Sequence, residues 1–211
     1  MQPQFKSYQI APPASAHPRE HILYAARTVL ERNGVRNTSI AAIRALWGGS
    51  DEEFRALFEN DDDLLTEAIY QSRCAKTAQL FTFAPGISLR YNLILFGTNY
   101  LEYVLANEHL EEQRFILSQG RNSASLRKIF EYDLRVNWSR VGDFLNRFMK
   151  SPNTCRAKCQ LAARQFKALL EFDLLERGMA GILPTLFRAE LVQFVELVVD
   201  RFLNLYREDF Q

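Results

Sequence analysis

The sequence is short of the residues that make turns and bridges. Nine glycines and seven prolines in 211 residues are too few for a sheet-rich chain with many tight turns. The three cysteines, Cys74, Cys155 and Cys159, cannot build a disulfide framework, and their odd count fits a reducing compartment. No apolar run reaches the roughly 20 residues of a membrane span. The opening stretch MQPQFKSYQIAPPASAHP has one Lys and no continuous apolar core, so it does not read as a signal peptide. Charge of one sign is missing too. Lys plus Arg number 26 against 25 acids, a net +1, which gives no global field toward nucleic acid or a membrane surface. The expectation is a cytoplasmic protein with no membrane partner.

Catalytic and metal signatures are equally scarce. His17 and His21 lie four apart, but neither this pair nor His109 has a cysteine or a third histidine at ligand spacing, so no metal site is expected. There is no G-x-S-x-G, P-loop, G-x-G-x-x-G or H-E-x-x-H. No cofactor is expected, and an enzyme is the poorer class of reading. Cys155 and Cys159 lie four apart and read as a small hydrophobe and a thiol rather than a redox pair.

What is present is helical periodicity and an excess of aromatic rings. Residues 1–17 carry three prolines and no period, and read as a flexible arm. From Pro18 the apolar spacing is that of helices to the end of the chain. Ile22, Ala25, Ala26, Val29 and Leu30 share one face of a first helix that Gly34 stops. Thr38 is placed to cap a short helix holding Ile40, Ile43 and Leu46, which Gly48-Gly49 breaks. Ser50 caps the next, DEEFRALF, with Glu53 completing a capping box. Asn60 caps a longer helix that opens on three aspartates, a favourable charge at the positive end of the helix dipole, and is expected to reach about Phe83. Further helices are expected near 87–106, 108–119, 122–150, 154–177 and 186–208. The fold class is all-α, with about nine helices: an N-terminal three-helix domain over 18–66 and a larger helical domain over 67–211.

Two short helices joined by a glycine turn after a longer one describe a helix-turn-helix. The residues Gly34, Thr38-Ser39, Ile43, Gly48-Gly49-Ser50, Phe54, Phe58 and Leu64-Leu65 fall without a gap on the pattern of one family. The stretch resembles the DNA-binding domain of the TetR family of transcriptional regulators. The segment LAARQFKALLEFDLLERGM and the apolar helix LVQFVELVVDRFLNLYRE are similar to the C-terminal domain of its AefR-like branch. The resemblance implies a homodimeric, ligand-responsive repressor that binds operator DNA. It implies DNA-facing positions at Thr38, Ser39, Arg44, Ser50, Asp51, Glu52 and Arg55, with Thr38, Ser39, Ser50 and Arg55 toward phosphates.

The charge at those positions departs from the family pattern. Between Thr38 and Leu65, Arg44 and Arg55 face Asp51, Glu52, Glu53, Glu59, Asp61, Asp62 and Asp63, a formal −5. Asp61 stands where a phosphate-binding Lys is common in the family. DNA affinity rests largely on neutralised phosphates, so this sign predicts weak binding with a shallow salt dependence. An alternative is a regulator-like protein that keeps the fold, has lost direct DNA binding and acts through a protein partner.

Two further expectations concern the larger domain. Phe96, Tyr100, Tyr103, Phe130, Trp138 and Phe166 are expected to line a pocket for a small apolar or amphipathic effector. The final helix is apolar on more than one face, from Leu191 to Tyr206. It must bury one side in its own domain and another in a partner, with Leu169 and Phe172 adding to the same interface.

Overall fold

The computed structural model describes residues 16–118, 124–150 and 156–210. The N-terminal arm lies almost entirely outside these residues, as does Cys155. The chain is all-helical over the described residues: α1 (Pro18–Asn33), α2 (Ile40–Trp47), α3 (Asp51–Leu57), α4 (Asp61–Leu80), α5 (Leu89–Val104), α6 (Asn107–Ser118), α7 (Ala124–Tyr132), α8 (Trp138–Asn146), α9 (Arg156–Glu171), α10 (Leu174–Ala180) and α11 (Arg188–Leu205). A π turn over Asp133–Asn137 carries α7 directly into α8. These segments therefore make ten helices, one more than expected.

The extra helix comes from a break that periodicity does not show. The expected helix over 154–177 stops at Glu171, because Phe172 adopts φ +38°, the one left-handed non-glycine residue among those described. The side chain there is 71% exposed, so within the protomer no burial of the ring offsets the backbone cost. The helix expected to reach Phe83 likewise ends at Leu80, with Phe81 and Phe83 leaving the helical path toward the interior.

By packing, the chain divides into two compact units. The first takes residues up to Lys76 and Glu111–Phe130, and the second takes Thr77–Leu110 and Glu131 onward. This partition differs from a cut at residue 66. Ile69 of α4, Ile116 of α6 and Ile129 of α7 form a small core of their own, which assigns parts of those helices to the first unit. Arg73 extends the same association, donating to Glu112 at 3.1 Å and to Gln113 at 2.8 Å.

In the first unit α1, α2 and α3 close around Ile22, Ala26, Ile43, Phe54, Phe58 and Leu64. In the second, α5 packs on α11 and α8 on α9. Gly97 permits the first of these approaches: a Cβ there would stand 2.8 Å from Val195 and 3.0 Å from Leu170. No helix among the described residues is long and apolar enough to cross a membrane.

Replacing Phe172 by Gly removes the left-handed strain of an L-residue, worth roughly 1–2 kcal/mol. Denaturant unfolding at protein concentrations low enough to keep the protomers apart is expected to show a gain of about 1 kcal/mol. A loss that emerges only at higher concentration would mean that the exposed ring has an apolar partner outside its own protomer.

Candidate nucleic-acid interface and aromatic core

The helix-turn-helix is assembled by its caps. Ser39 accepts from the Ala42 N–H at 3.1 Å and so is the N-cap of α2. Thr38, expected in that role, instead donates its hydroxyl to the Gly34 carbonyl at 2.8 Å, because it sits one residue too early to reach the first free amides. Gly48 ends α2 at φ +79°, a left-handed turn that favours glycine. Ser50 then opens α3 with the expected capping box. Its Oγ accepts from Glu53 N at 3.2 Å, and the Glu53 carboxylate accepts from Ser50 N at 2.8 Å. The Ser50 N–H and the Ser50 hydroxyl, which donates to the same carboxylate oxygen at 3.1 Å, hold the Glu53 carboxyl below its ordinary range. Asn60 caps α4 through Asp63 N at 2.9 Å.

The acids at the start of α3 are not all free charges. Arg44 Nη1 lies 2.5 Å from Asp51 Oδ1, and Nη2 lies 3.9 Å from Asp61. Its guanidinium also covers the Phe54 ring at 4.5 Å. Arg19 does the same on the other side, 4.6 Å over Phe58 and 3.9 Å from Glu67. Phe54 and Phe58 stack at 6.0 Å, and each ring of the pair carries one arginine over its face. Of the expected DNA-facing residues, Thr38 and Ser39 engage the backbone through their hydroxyls, Ser50 accepts from the Glu53 N–H and donates to the Glu53 carboxylate, and Arg44 and Asp51 form an ion pair. Glu52 and Arg55 are exposed and form no ion pair among the described residues. The Arg44 clamp was not legible beforehand, since nothing in the spacing joins position 44 to positions 51 and 61.

In the second unit, four of the six expected pocket residues meet. Phe96, Tyr100, Trp138 and Phe166 are buried in one cluster with Phe81, Phe144 and Phe202. Trp138 is the hub, edge-on to Tyr100 at 5.1 Å and to Phe81 and Phe96 at 5.7 Å. Phe83 and Phe144 stack at 4.0 Å beside it. Tyr103 is half-buried against this cluster and meets His109 at 4.7 Å. Phe130 does not join them: its ring is 39% exposed and it belongs to the first unit. Phe81 and Phe83, absent from the expected set, enter because α4 stops early.

One polar thread enters this core. The Tyr100 hydroxyl donates to Glu171 Oε1 at 2.6 Å, and Lys167 Nζ donates to both Glu171 oxygens at 2.6 Å. Burial, with the Glu171 and Asp133 carboxylates, raises the Tyr100 phenol well above its ordinary value of 10.0. The Trp138 indole N–H opposes that rise, although it completes no hydrogen bond of full geometry. Asn137, the last residue of the π turn, is also buried with Oδ1 unpartnered.

Residues 91–208 match the family described as AefR-like transcriptional repressors, C-terminal domain. Among solved structures, the chain is similar to a protein from Mesorhizobium loti assigned to the TetR family of transcriptional regulators. That match has 19% identity and a TM-score of 0.68, covering 92% of this chain and 98% of the other. It is also similar to the flavonoid-responsive regulator FrrA, with 20% identity, a TM-score of 0.63, and 89% and 96% of the two chains covered. A TetR transcriptional regulator from Agrobacterium tumefaciens shares 19% identity at a TM-score of 0.60, covering 90% and 95%. At these identities the structural likeness establishes the fold alone. No functionally curated protein matches the chain.

The buried phenol carries a pH dependence. With the folded-state value of Tyr100 raised, this group leaves stability unchanged below the unfolded value near 10. Above it, the unfolded chain loses the proton while the native state keeps it. Stability then falls by about 1.4 kcal/mol per pH unit until the folded-state value is reached. Tyr100→Phe is expected to unfold with a shallower alkaline limb than wild type in denaturant titrations between about pH 9 and 11. Parallel limbs would contradict this assignment.

Proposed function

The chain belongs to the TetR family of transcriptional regulators, with an AefR-like C-terminal domain, and on that premise we propose that it is a ligand-responsive, homodimeric cytoplasmic repressor that reads operator DNA through α2 and α3. The observation that carries the reading is the capped turn between those helices. Ser39, Gly48 and the Ser50–Glu53 box present the N-terminus of α3 outward as a rigid element. A recognition helix meets the major groove through its N-terminal residues.

Dimerisation is supported by the two apolar faces of α11. Leu191, Val195, Val199 and Phe202 are buried within the protomer, while Leu197 and Leu205 are 66% and 63% exposed. Leu161 and Phe172 of the α9 segment are 53% and 71% exposed. Apolar surface of that extent on paired helices is what a four-helix interface around a two-fold axis buries.

The aromatic cluster around Trp138 is the proposed effector region, on five of the six residues first singled out; Phe130 is left out of it. A small ring-bearing effector suits this lining, since aromatic faces and edges reward ring contacts. The flavonoid response of FrrA, a neighbour of the same fold, is compatible with such a ligand. The second reading, a partner-protein regulator without direct DNA contact, is favoured by the acids of α3 and the start of α4.

Selection of bound fragments from a random duplex pool at low salt separates the two. The repressor reading expects a two-fold symmetric site whose half-sites lie about 34–36 Å apart, one turn of the duplex. Recovery of no enriched sequence would overturn it in favour of the partner reading. Sedimentation at micromolar concentration is expected to give a dimer, and a monomer there would remove the interface assigned to α9 and α11.

A further inference from the structure

Arg44 is the only cation of α2, in its last turn, and its side chain is 32% exposed. Three groups hold it in the free protein: Asp51 at 2.5 Å, Asp61 at 3.9 Å and the Phe54 face at 4.5 Å. The first two belong to the opening turns of α3 and α4, and are themselves 68% and 54% exposed. Such exposed ion pairs are screened by water and salt and hold weakly. The ring contact is different in kind. It fixes the plane of the guanidinium without consuming any of its N–H donors.

We propose that Arg44 is a phosphate ligand held in reserve: in the free protein Asp51 accepts from its Nη1 and Asp61 stands 3.9 Å from its Nη2, and a duplex must displace these carboxylates to recruit it. This rests on the reading that α2 and α3 meet DNA. A phosphate offers the guanidinium fork the same pair of oxygens that a carboxylate does, with comparable geometry. The Phe54 face keeps the fork in place during the exchange, so the exchange needs only the aspartate side chains to turn away. Arg55, exposed and unpaired among the described residues, has no such competitor. The two cations of this motif therefore act differently. Arg55 contributes at any encounter with DNA, whereas Arg44 contributes only where a phosphate sits well enough to outcompete two carboxylates. Asp51 and Asp61 act as a filter that suppresses loose binding to arbitrary sequence.

A double-mutant cycle read through salt dependence tests this. Wild type, the double variant D51N/D61N, R44M, and the triple variant R44M/D51N/D61N are titrated with a random-sequence duplex of about 30 base pairs, and log affinity is plotted against log salt. D51N/D61N is expected to bind about tenfold tighter at low salt and to steepen the slope by about 0.9, the increment for one more neutralised phosphate. In the R44M background that steepening is expected to vanish. R44K keeps the charge without the fork, and serves as the comparison if R44M does not show a native melting transition. The same steepening in both backgrounds would mean that the acids act by bulk repulsion, and the proposal falls. An unchanged slope in D51N/D61N would make Arg44 a purely structural residue, which also overturns it. If no variant binds the duplex at low salt, the operator reading falls along with this one.

Discussion

The guanidinium of Arg44 is where α2, α3 and α4 meet. A two-helix motif of eight and seven residues has little stability of its own, because helices this short are marginal without tertiary support. Its angle must be fixed by groups that reach across the turn. Arg44 reaches from the end of α2 to the starts of α3 and α4, and lies over Phe54, the one residue of α3 buried in the domain core. Gly48 sets the path of the turn, and the Ser50–Glu53 box ends the uncapped amides of α3. Between them, one cation, one ring and one cap orient the helix. The cost is electrostatic. The acids that fix Arg44 stand on the surface that a polyanion would approach, so geometry and charge make opposite demands at one place.

The second unit solves a different problem. Its interior is filled by rings that touch one another, with Trp138 taking Phe81, Phe96 and Tyr100 on its faces and edges. Edge-to-face contacts of this sort contribute about 0.5–1.5 kcal/mol each beyond area burial. A molecule entering this region must move rings rather than fill an empty space. The π turn immediately before Trp138 is the natural place for such movement, because it already departs from regular helical hydrogen bonding. The Tyr100–Glu171–Lys167 thread joins α5 to the end of α9 at the left-handed Phe172. A displaced Tyr100 is therefore felt at the break between α9 and α10.

What the sequence made legible follows from how local each signal is. Ser50, Glu53, Asn60, Gly34 and Gly48 act within four residues of themselves, and the structure places each in the role that its spacing implies. Thr38 and Ser39 are adjacent and chemically alike, so composition alone could not say which one caps α2; a single residue of phase decided it. The break at Phe172 has no local signature, since Phe is a poor choice for a left-handed position. Neither does the π turn, since 122–150 has an unbroken helical period. For the aromatic set, helical spacing put Phe96, Tyr100 and Tyr103 on one face; the structure buries the first two beside Trp138 and leaves Tyr103 half-buried. Phe130 stands apart from these rings, 39% exposed on α7. Phe81 and Phe83 were missed because their inward turn depends on where α4 ends. The Arg44 clamp was invisible for the same reason: it is a contact among three elements, each of which had to be placed first.

The chain contains only two tryptophans, and they fall one to each compact unit. Trp47 lies at the end of α2 with its indole folded against Gly49, so that any Cβ at 49 would stand 2.3 Å from the ring. Trp138 is 1% exposed at the centre of the other core. The first, half-buried beside the turn, is expected to emit as a partly hydrated indole, and the second as one shielded from water. The protein thus carries two intrinsic optical probes whose bands separate by environment. Acrylamide reaches one and not the other. A spectroscopist can watch the end of α2 and the ring-filled core independently in an unlabelled molecule.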